Sequence, residues 1–381
     1  MRVRRSPYLY VERKEGEELH VREGLAGNRA VVSAGTFELL RRLESPVEVA
    51  PAPEVSRMLD LGFLIEEGRE ARAAEAKLFA RVAPAMFGCP PWRLGDLADF
   101  VFLGVPLDMG NLTAPGARYG PDALRKASAL YPPRFDAAKG TPAGWFDYDA
   151  GAEVLGGARL ADAGEVFLTP GAGSEESGRK ISAAARAVVD AGGCPVVVGG
   201  DHSISFAALR GVLRGPCGLL HLDAHADSAS HLPGLPHHFG NVVSRIVREL
   251  GVAQVVHAGV RGLGHGAIDH PPRRRAVSPS WLRAHSASEL VALLDPGLEW
   301  YVSVDIDVVD PSEAPGTATP SPGGLSVAET RALLRAVGEL RQVAGCDLVE
   351  VNPQFDHNGV TGAVACELLL ALLGAIWRGS R

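Results

Sequence analysis

The sequence is poor in cysteine. Five residues, Cys89, Cys194, Cys217, Cys346 and Cys366, are scattered through 381 positions with no Cys-x-x-Cys pair. The odd count and wide spacing argue against a disulfide framework and a cysteine-based zinc site, and point to reduced thiols in a cytoplasmic protein. An excess of positive charge is also missing. The chain carries 38 Lys and Arg against 45 Asp and Glu, a net charge of −7 with His neutral, so neither nucleic acid nor an anionic membrane is expected as a partner. No apolar core follows the arginines of Met1–Tyr10, so no signal peptide is expected. The longest apolar run, Leu368 to Ile376, falls short of the roughly 20 residues that span a bilayer. Repeats and low-complexity tracts are absent too.

What is present is an ordinary globular balance, 46% hydrophobic and 22% charged residues, which implies a sizeable core rather than long disorder. The length allows one large α/β domain and a smaller one. Ala83-Pro84 and Cys89-Pro90-Pro91-Trp92 read as a linker, because proline removes backbone donors and constrains its neighbours. It divides a module over residues 1–85 from a domain over 95–378. In the module, strands at Tyr8–Val11 and Ala30–Val32, helices at Thr36–Leu43 and Glu54–Leu61 and a strand over Gly62–Ile65 predict a small winged-helix-like α+β fold.

Beyond the linker, short apolar strands alternate with helical patterns. Strands are predicted at Val101–Val105, Pro195–Val198, Gly218–Leu222, Gln254–Ala258, Tyr301–Val304 and Leu348–Val351. Helices are predicted at Ile181–Ala191, Asn241–Leu250, Val327–Leu340 and Thr361–Trp377. This alternation predicts a mostly parallel sheet covered by helices on both faces.

Three polar clusters each follow an apolar strand, where open parallel sheets place their ligand sites. The first is Gly199-Gly200-Asp201-His202-Ser203, whose glycines permit a tight turn. In the second, His221-Leu222-Asp223-Ala224-His225-Ala226-Asp227, alternation puts Asp223, His225 and Asp227 on one face of an extended chain. In the third, Ser303-Val304-Asp305-Ile306-Asp307-Val308-Val309-Asp310-Pro311, it does the same for Asp305 and Asp307. One such Asp is ordinarily a turn or cap residue, and one such His a structural one, but three independent strand ends are hard to explain that way. Four buried carboxylates need compensating charge. Two divalent cations supply it, and a carboxylate-rich set with a minority of imidazoles suits Mn²⁺. A pair of such ions roughly 3.5–4 Å apart activates a shared water at neutral pH.

These clusters resemble, position by position, the three signatures of the ureohydrolase family of arginases and agmatinases. The resemblance extends to Gly104-Val105-Pro106, Gly116-Ala117-Arg118-Tyr119-Gly120-Pro121, Ala314 to Pro320 and Asp347 to Pro353, and covers about residues 95 to 378. It implies a three-layer α/β/α fold, two Mn²⁺ per subunit and a trimer or hexamer. By that resemblance His202, Asp223, Asp227 and Asp305 hold one ion and His225, Asp227, Asp305 and Asp307 the other, the division of Asp223 being left open. Glu350 matches the family's glutamate that pairs with a guanidinium, in keeping with the fit of a planar cation to a carboxylate. His238, in His238-Phe239-Gly240-Asn241-Val242, stands where the family has a proton-shuttling His. Neighbouring His231 and His237 are alternatives.

The implied reaction is attack of an activated water on a guanidinium carbon. Glu350 orients the cation, Asp227 helps to steady the tetrahedral intermediate, and His238 passes a proton to the departing amine as urea leaves. The sequence also departs from the family. Ala229 and Gly234 replace polar residues that hold the α-carboxylate in arginases, which argues against free L-arginine and leaves an agmatine-like small guanidine. Ala318 and Ser321 replace a usual Gly and a frequent Glu near the substrate pocket. The N-terminal module is an addition that loosely resembles winged-helix peptide-recognition domains joined to peptide-modifying enzymes. On that reading the substrate is an arginine-containing peptide and the product an ornithine residue; an oligomerisation or lid element is the plainer reading of the module. Formimidoylglutamate hydrolysis and an inactive metal-binding scaffold are further alternatives.

Overall fold

The computed structural model describes residues 1–6, 9–23, 29–43, 45–60, 63–67, 79–80, 85–111, 114–136, 141–229, 236–264, 273–337 and 342–379. Ala83-Pro84 and the ends of some predicted elements, at Tyr8, Leu61, Gly62 and Leu340, lie outside the described residues. The chain falls into two compact units, Met1–Arg81 and Val82–Arg381.

The first unit holds two small antiparallel sheets and two helices. Leu9–Glu15, Glu18–Glu23 and Arg29–Ser33 form one three-stranded meander. In the other sheet Arg2–Arg5 lies between Val47–Glu48 and Leu64–Glu66. The helices are Ala34–Arg42, capped by the Ser33 hydroxyl on the Thr36 amide, and Pro53–Asp60. Val3, Leu9, Leu19, Val21, Leu40, Phe63 and Leu64 form its core. Sequence reasoning missed the strands Arg2–Arg5 and Glu18–Glu23. Each buries only one or two apolar side chains among charged ones, so the two-residue period is too short to stand out.

In the second unit the parallel strands are β1 Phe100–Gly104, β2 Leu160–Val166, β3 Cys194–Val198, β4 Cys217–Leu222, β5 Gln254–Ala258, β6 Arg274–Val277, β7 Glu299–Asp305 and β8 Val343–Val349. Their order in the sheet is β6-β5-β4-β7-β8-β3-β1-β2. Most positions in the central strands are buried, which is why they read as continuous apolar runs rather than alternating ones. Helices Ser174–Asp190 and Ile204–Val212 pack together, and Val360–Gly379 packs on Gly120–Ser128 and Val327–Val337. The sheet between them completes an α/β/α sandwich, as the strand–helix alternation predicts.

Three expectations need correcting. Cys89-Pro90-Pro91-Trp92 is not a linker: the Trp92 amide donates to Asp162 O at 2.8 Å and Pro90 O accepts from the Asp162 amide at 2.9 Å. Prolines there finish an extended stretch laid along β2, and Met86 and Phe87 before it are buried. The Asn241–Leu250 helix begins with a 3₁₀ turn at Phe239–Asn241, continues as Val242–Arg245 and widens to a π turn over Ile246–Leu250, ending at Gly251 with φ +65°. The last strand stops at Val349, because Glu350 takes φ +63°. Helix Val360–Gly379 has the length and mean hydropathy, 2.0, to cross a membrane, but 78% of its most apolar window is buried within the protein, as in a core helix.

Candidate metal centre

Four adjacent strands, β4-β7-β8-β3, deliver the predicted side chains from their carboxyl ends. β4 runs into Asp223–Asp227, β7 ends at Asp305, β8 is followed by Glu350, and β3 leads through Gly199-Gly200 to His202. Gly200 locks the His202 turn between neighbours. Its amide donates to Val105 O at 2.9 Å, and its carbonyl accepts from the Glu350 amide at 2.9 Å.

His202 is the hub. Its Nδ1 lies 3.1 Å from Asp223 Oδ2, 3.2 Å from Asp227 Oδ2 and 3.2 Å from Asp305 Oδ2. His225 Nδ1 is 3.4 Å from Asp223 Oδ1 and 3.0 Å from Asp307 Oδ2. The six residues expected to hold metal therefore converge, with Asp223 facing both imidazoles through different oxygens. The third cluster is braced by the second and from within: the Ala224 amide donates to Asp307 Oδ1 at 3.0 Å, and the Asp307 amide to Asp305 Oδ1 at 2.9 Å. Arg261 clamps the following backbone through bonds to Asp307 O and Ser321 O, both 2.6 Å. All the carboxylates are buried, whereas the His225 side chain is 42% exposed and marks the open side. Asp227 (φ +44°) and Glu350 (φ +63°) hold left-handed backbone, a local strain of the kind that gathers at functional sites.

Charge is crowded here. Burial, then Asp307 and Asp223, raises Asp305 well above the usual carboxylate range; burial and Asp223 also raise Asp307. Burial alone would keep His202 neutral, but Asp223, Asp227 and Asp305 outweigh it and hold the ring protonated well above its ordinary value. Asp223 and Asp307 push His225 up to about 11. Positive charge at these two imidazoles thus sits against the crowded carboxylates.

Proton bookkeeping tests whether a cation fits. Ser303 Oγ donates to Asp347 Oδ1 at 2.6 Å, and Asp347 Oδ2 accepts from Tyr301 at 2.9 Å. With its own proton committed, Ser303 Oγ, 2.9 Å from His202 Nε2, must accept from that nitrogen. In the neutral ring Nδ1 then keeps its lone pair. It has no aligned hydrogen bond although three carboxylate oxygens surround it, and Asp223 Oδ2 is likewise unsatisfied. A lone pair facing converging anionic oxygens could hold a divalent cation. The described residues contain two such groups, His202-His221-Asp223-Asp227 and Asp223-His225-Asp307.

His221, quoted in the second cluster but assigned no role, is therefore the residue that sequence reasoning missed. Alternation did signal it, since it stands two positions before Asp223 and shares its face.

Glu350 Oε1 accepts from the His202 amide at 2.8 Å, and Oε2 is buried without a hydrogen bond. Burial and nearby Asp201 raise its pKa well above normal. His238 caps the turn that follows, its Nδ1 accepting from the Gly240 amide at 2.9 Å. Burial lowers its pKa while Asp227, within electrostatic reach, opposes. His237 turns elsewhere, lining a cavity of about 290 Å³ with Arg179, Arg210 and Arg245. His231 and Gly234 lie outside the described residues. The Ala229 amide donates to Gly240 O at 3.0 Å.

Fold and site together define an α/β/α protein with a carboxylate–imidazole cluster at the strand ends that could hold cations. Comparison with known proteins gives the family. The profile of the arginase family matches residues 98–374. The chain is 35% identical over 305 residues to proclavaminate amidinohydrolase of Streptomyces clavuligerus, covering 74% of this chain and 90% of that protein. It is 32% identical over 365 residues to the human mitochondrial guanidino acid hydrolase, covering 89% and 98%. The solved structure of the Streptomyces enzyme superposes with a TM-score of 0.68 at 33% identity, covering 79% of this chain and 99% of that one. This chain belongs to the arginase family and is a hydrolase of C–N bonds.

Proposed function

We propose that the protein hydrolyses a small guanidine to an amine and urea, using two Mn²⁺ ions per subunit held by His202, Asp223, His225, Asp227, Asp305 and Asp307. The observation that carries this reading is the convergence of four buried carboxylates on two imidazoles that present Nδ1 to them. When bound, the ions would supply positive charge that compensates these carboxylates and would acidify a water for attack; carboxylate-rich ligation favours manganese over softer ions.

The chain's own groups do the rest. Glu350 presents a buried, unpartnered oxygen beside the His202 turn, suited to a guanidinium N–H. Asp227 accepts a proton or a hydrogen bond as the planar carbon becomes tetrahedral. His238, its Nδ1 occupied by Gly240, has Nε2 left to deliver a proton to the departing amine. The relatives described above are named for hydrolysis of amidino groups and guanidino acids, which supports a guanidine rather than a formimidoyl substrate.

A second reading has one observation in its favour. Residues Met1–Arg81 form a compact unit with its own core, as an appended recognition module would. On this reading the substrate is arginine within a peptide and the product an ornithine residue.

One experiment separates these. Protein purified with manganese is assayed against agmatine, guanidinobutyrate, L-arginine, formimidoylglutamate and an arginine-containing peptide, with urea and formamide measured as products. Urea from a small guanidine supports the first reading, urea from the peptide alone the second. Formamide from formimidoylglutamate, or no product from any compound, overturns both. Light scattering on the same sample tests the inferred trimer or hexamer.

A further inference from the structure

Two residues below the metal-facing carboxylates, a row of polar side chains crosses the sheet. His257 on β5 pairs with His221 on β4, His221 with Ser303 on β7, and Ser303 with Asp347 on β8. All four are buried. Parallel register partners point to one face, so these four strands place a polar layer directly beneath Asp223 and Asp305. Its Ser303–Asp347 half accepts from His202 Nε2, so the neutral His202 ring keeps its lone pair on Nδ1. The other half leads away from the site, and nothing in the reaction accounts for it.

That half is a chain of imidazoles ending in an arginine. His221 Nε2 is 3.1 Å from Asp223 Oδ2. His221 Nδ1 and His257 Nδ1 are 3.0 Å apart. Arg274 Nε, on edge strand β6, donates to His257 Nε2 at 3.1 Å. The proton positions follow in one direction only. A guanidinium has donors and no acceptor, so His257 Nε2 must be unprotonated. The neutral His257 ring then carries its hydrogen on Nδ1 and donates it to His221 Nδ1. His221 in turn carries its hydrogen on Nε2, the nitrogen beside Asp223. Burial, with His221 and Arg274 nearby, also keeps His257 neutral. The second arm of Arg274 donates to the Ser228 hydroxyl, next to Asp227, and Ser228 in turn donates to Ala226 O.

We infer that Arg274, acting through His257, fixes His221 as an N–H donor to Asp223, so that His221 orients the carboxylate shared by both ion sites instead of ligating a metal itself. Of the two imidazoles facing Asp223 Oδ2, His202 offers a lone pair and His221 a hydrogen. The His221 N–H is not aligned on Oδ2, and the 3.1 Å N···O separation is short enough for a small rotation of the carboxylate to complete the bond. Arg274 is thus a positioning residue three side chains from the ions. Through Ser228 it also braces the backbone from Ala226 to Ser228, where the strained Asp227 sits.

The inference rests on the metal reading proposed above, and the test keeps the two apart. Manganese binding to the full chain is titrated calorimetrically and its stoichiometry measured for wild type, Arg274→Leu and Arg274→Gln. Removing an outer partner of a metal ligand typically costs 10–100-fold in affinity. Arg274→Leu should therefore bind two equivalents with affinity lowered about 10–100-fold. Arg274→Gln keeps a side-chain N–H for His257 and should recover most of the loss. In histidine-labelled, metal-free wild type, ¹⁵N NMR should find His257 protonated on Nδ1 and His221 on Nε2. An unprotonated His221 Nε2 would overturn the inference even if Arg274→Leu did not fold. So would wild-type affinity in Arg274→Leu, or loss of a whole equivalent from it. A wild type that binds no manganese would overturn the metal reading itself, and this role with it.

Discussion

The carboxylate of Glu350 accepts the backbone N–H of His202 at 2.8 Å. One oxygen thereby holds the turn of the imidazole proposed to bind metal, while the other is buried without a hydrogen bond. Glu350→Gln retains an acceptor for the His202 amide but removes the negative charge. Losing a charged hydrogen bond to substrate should lower kcat/KM by about 10–100-fold, corresponding to roughly 1.5–3 kcal/mol, with manganese content unchanged. Steady-state kinetics beside metal analysis check this; an unaltered kcat/KM would remove Glu350 from substrate recognition.

Asp305→Asn should separate stability from metal binding. Burial and the neighbouring Asp307 and Asp223 raise the pKa of Asp305 in the folded state. A carboxyl whose folded pKa is raised favours folding while protonated and opposes it once pH passes its unfolded value. At pH 7–8 the neutral amide should leave the metal-free protein as stable as wild type or more so. The manganese-induced gain, about 2.7 kcal/mol at a hundred times Kd, should largely vanish along with turnover. Melting curves with and without manganese decide it, and a full metal-induced gain in the variant would exclude Asp305 as a ligand.

Gly200→Ala should be severe. An added Cβ would fall 1.6 Å from the carbonyl oxygen of Leu107, a backbone atom that cannot swing aside. We expect at least about 3 kcal/mol of destabilisation, the upper end for overpacking, together with loss of manganese binding. Urea denaturation measures the first and calorimetry the second.

Asp310 sets an acid limit. Its carboxylate accepts from the Ser312 hydroxyl and amide at 2.6 and 3.0 Å, and from the Gly323 and Gly324 amides at 2.8 and 2.9 Å. These bonds, the Ser312 hydroxyl foremost, lower its pKa from 3.8 to about 2. The stability they contribute is present above the unfolded value and is lost as pH falls through about 2. Asp310→Asn should flatten the pH dependence of the denaturation midpoint over that interval. Parallel curves for variant and wild type would assign the acid sensitivity elsewhere.

The parallel sheet was legible because buried strands read as apolar runs, and the candidate site because its polar residues cluster where those runs stop. Alternation picked out the residues but not their backbone: Asp223, His225 and Asp227 lie beyond Leu222, where β4 ends, Asp227 at φ +44°, and Asp307 sits in a 3₁₀ turn over Ile306–Val308 rather than in an extended chain. The polar row was not legible. His257, His221, Ser303 and Asp347 lie far apart in the chain and meet only through strand register, which no local pattern encodes. Cys89-Pro90-Pro91-Trp92 misled for a related reason: proline forbids a helix and a donor but says nothing about docking beside Asp162. Arg274 gave no signal, since the run Arg273-Arg274-Arg275 at an edge strand reads as a solvated basic face.

The order in which these parts are made has its own consequence. Every strand of the parallel sheet precedes helix Val360–Gly379, whose residues include Val364, Ala365, Leu368, Leu369 and Leu372 in the main core. During synthesis the ribosome delivers all the side chains proposed to bind metal, and helices Gly120–Ser128 and Val327–Val337, before it delivers the helix that packs on both of them. Until that helix emerges, part of the apolar surface on its side of the sheet is left uncovered.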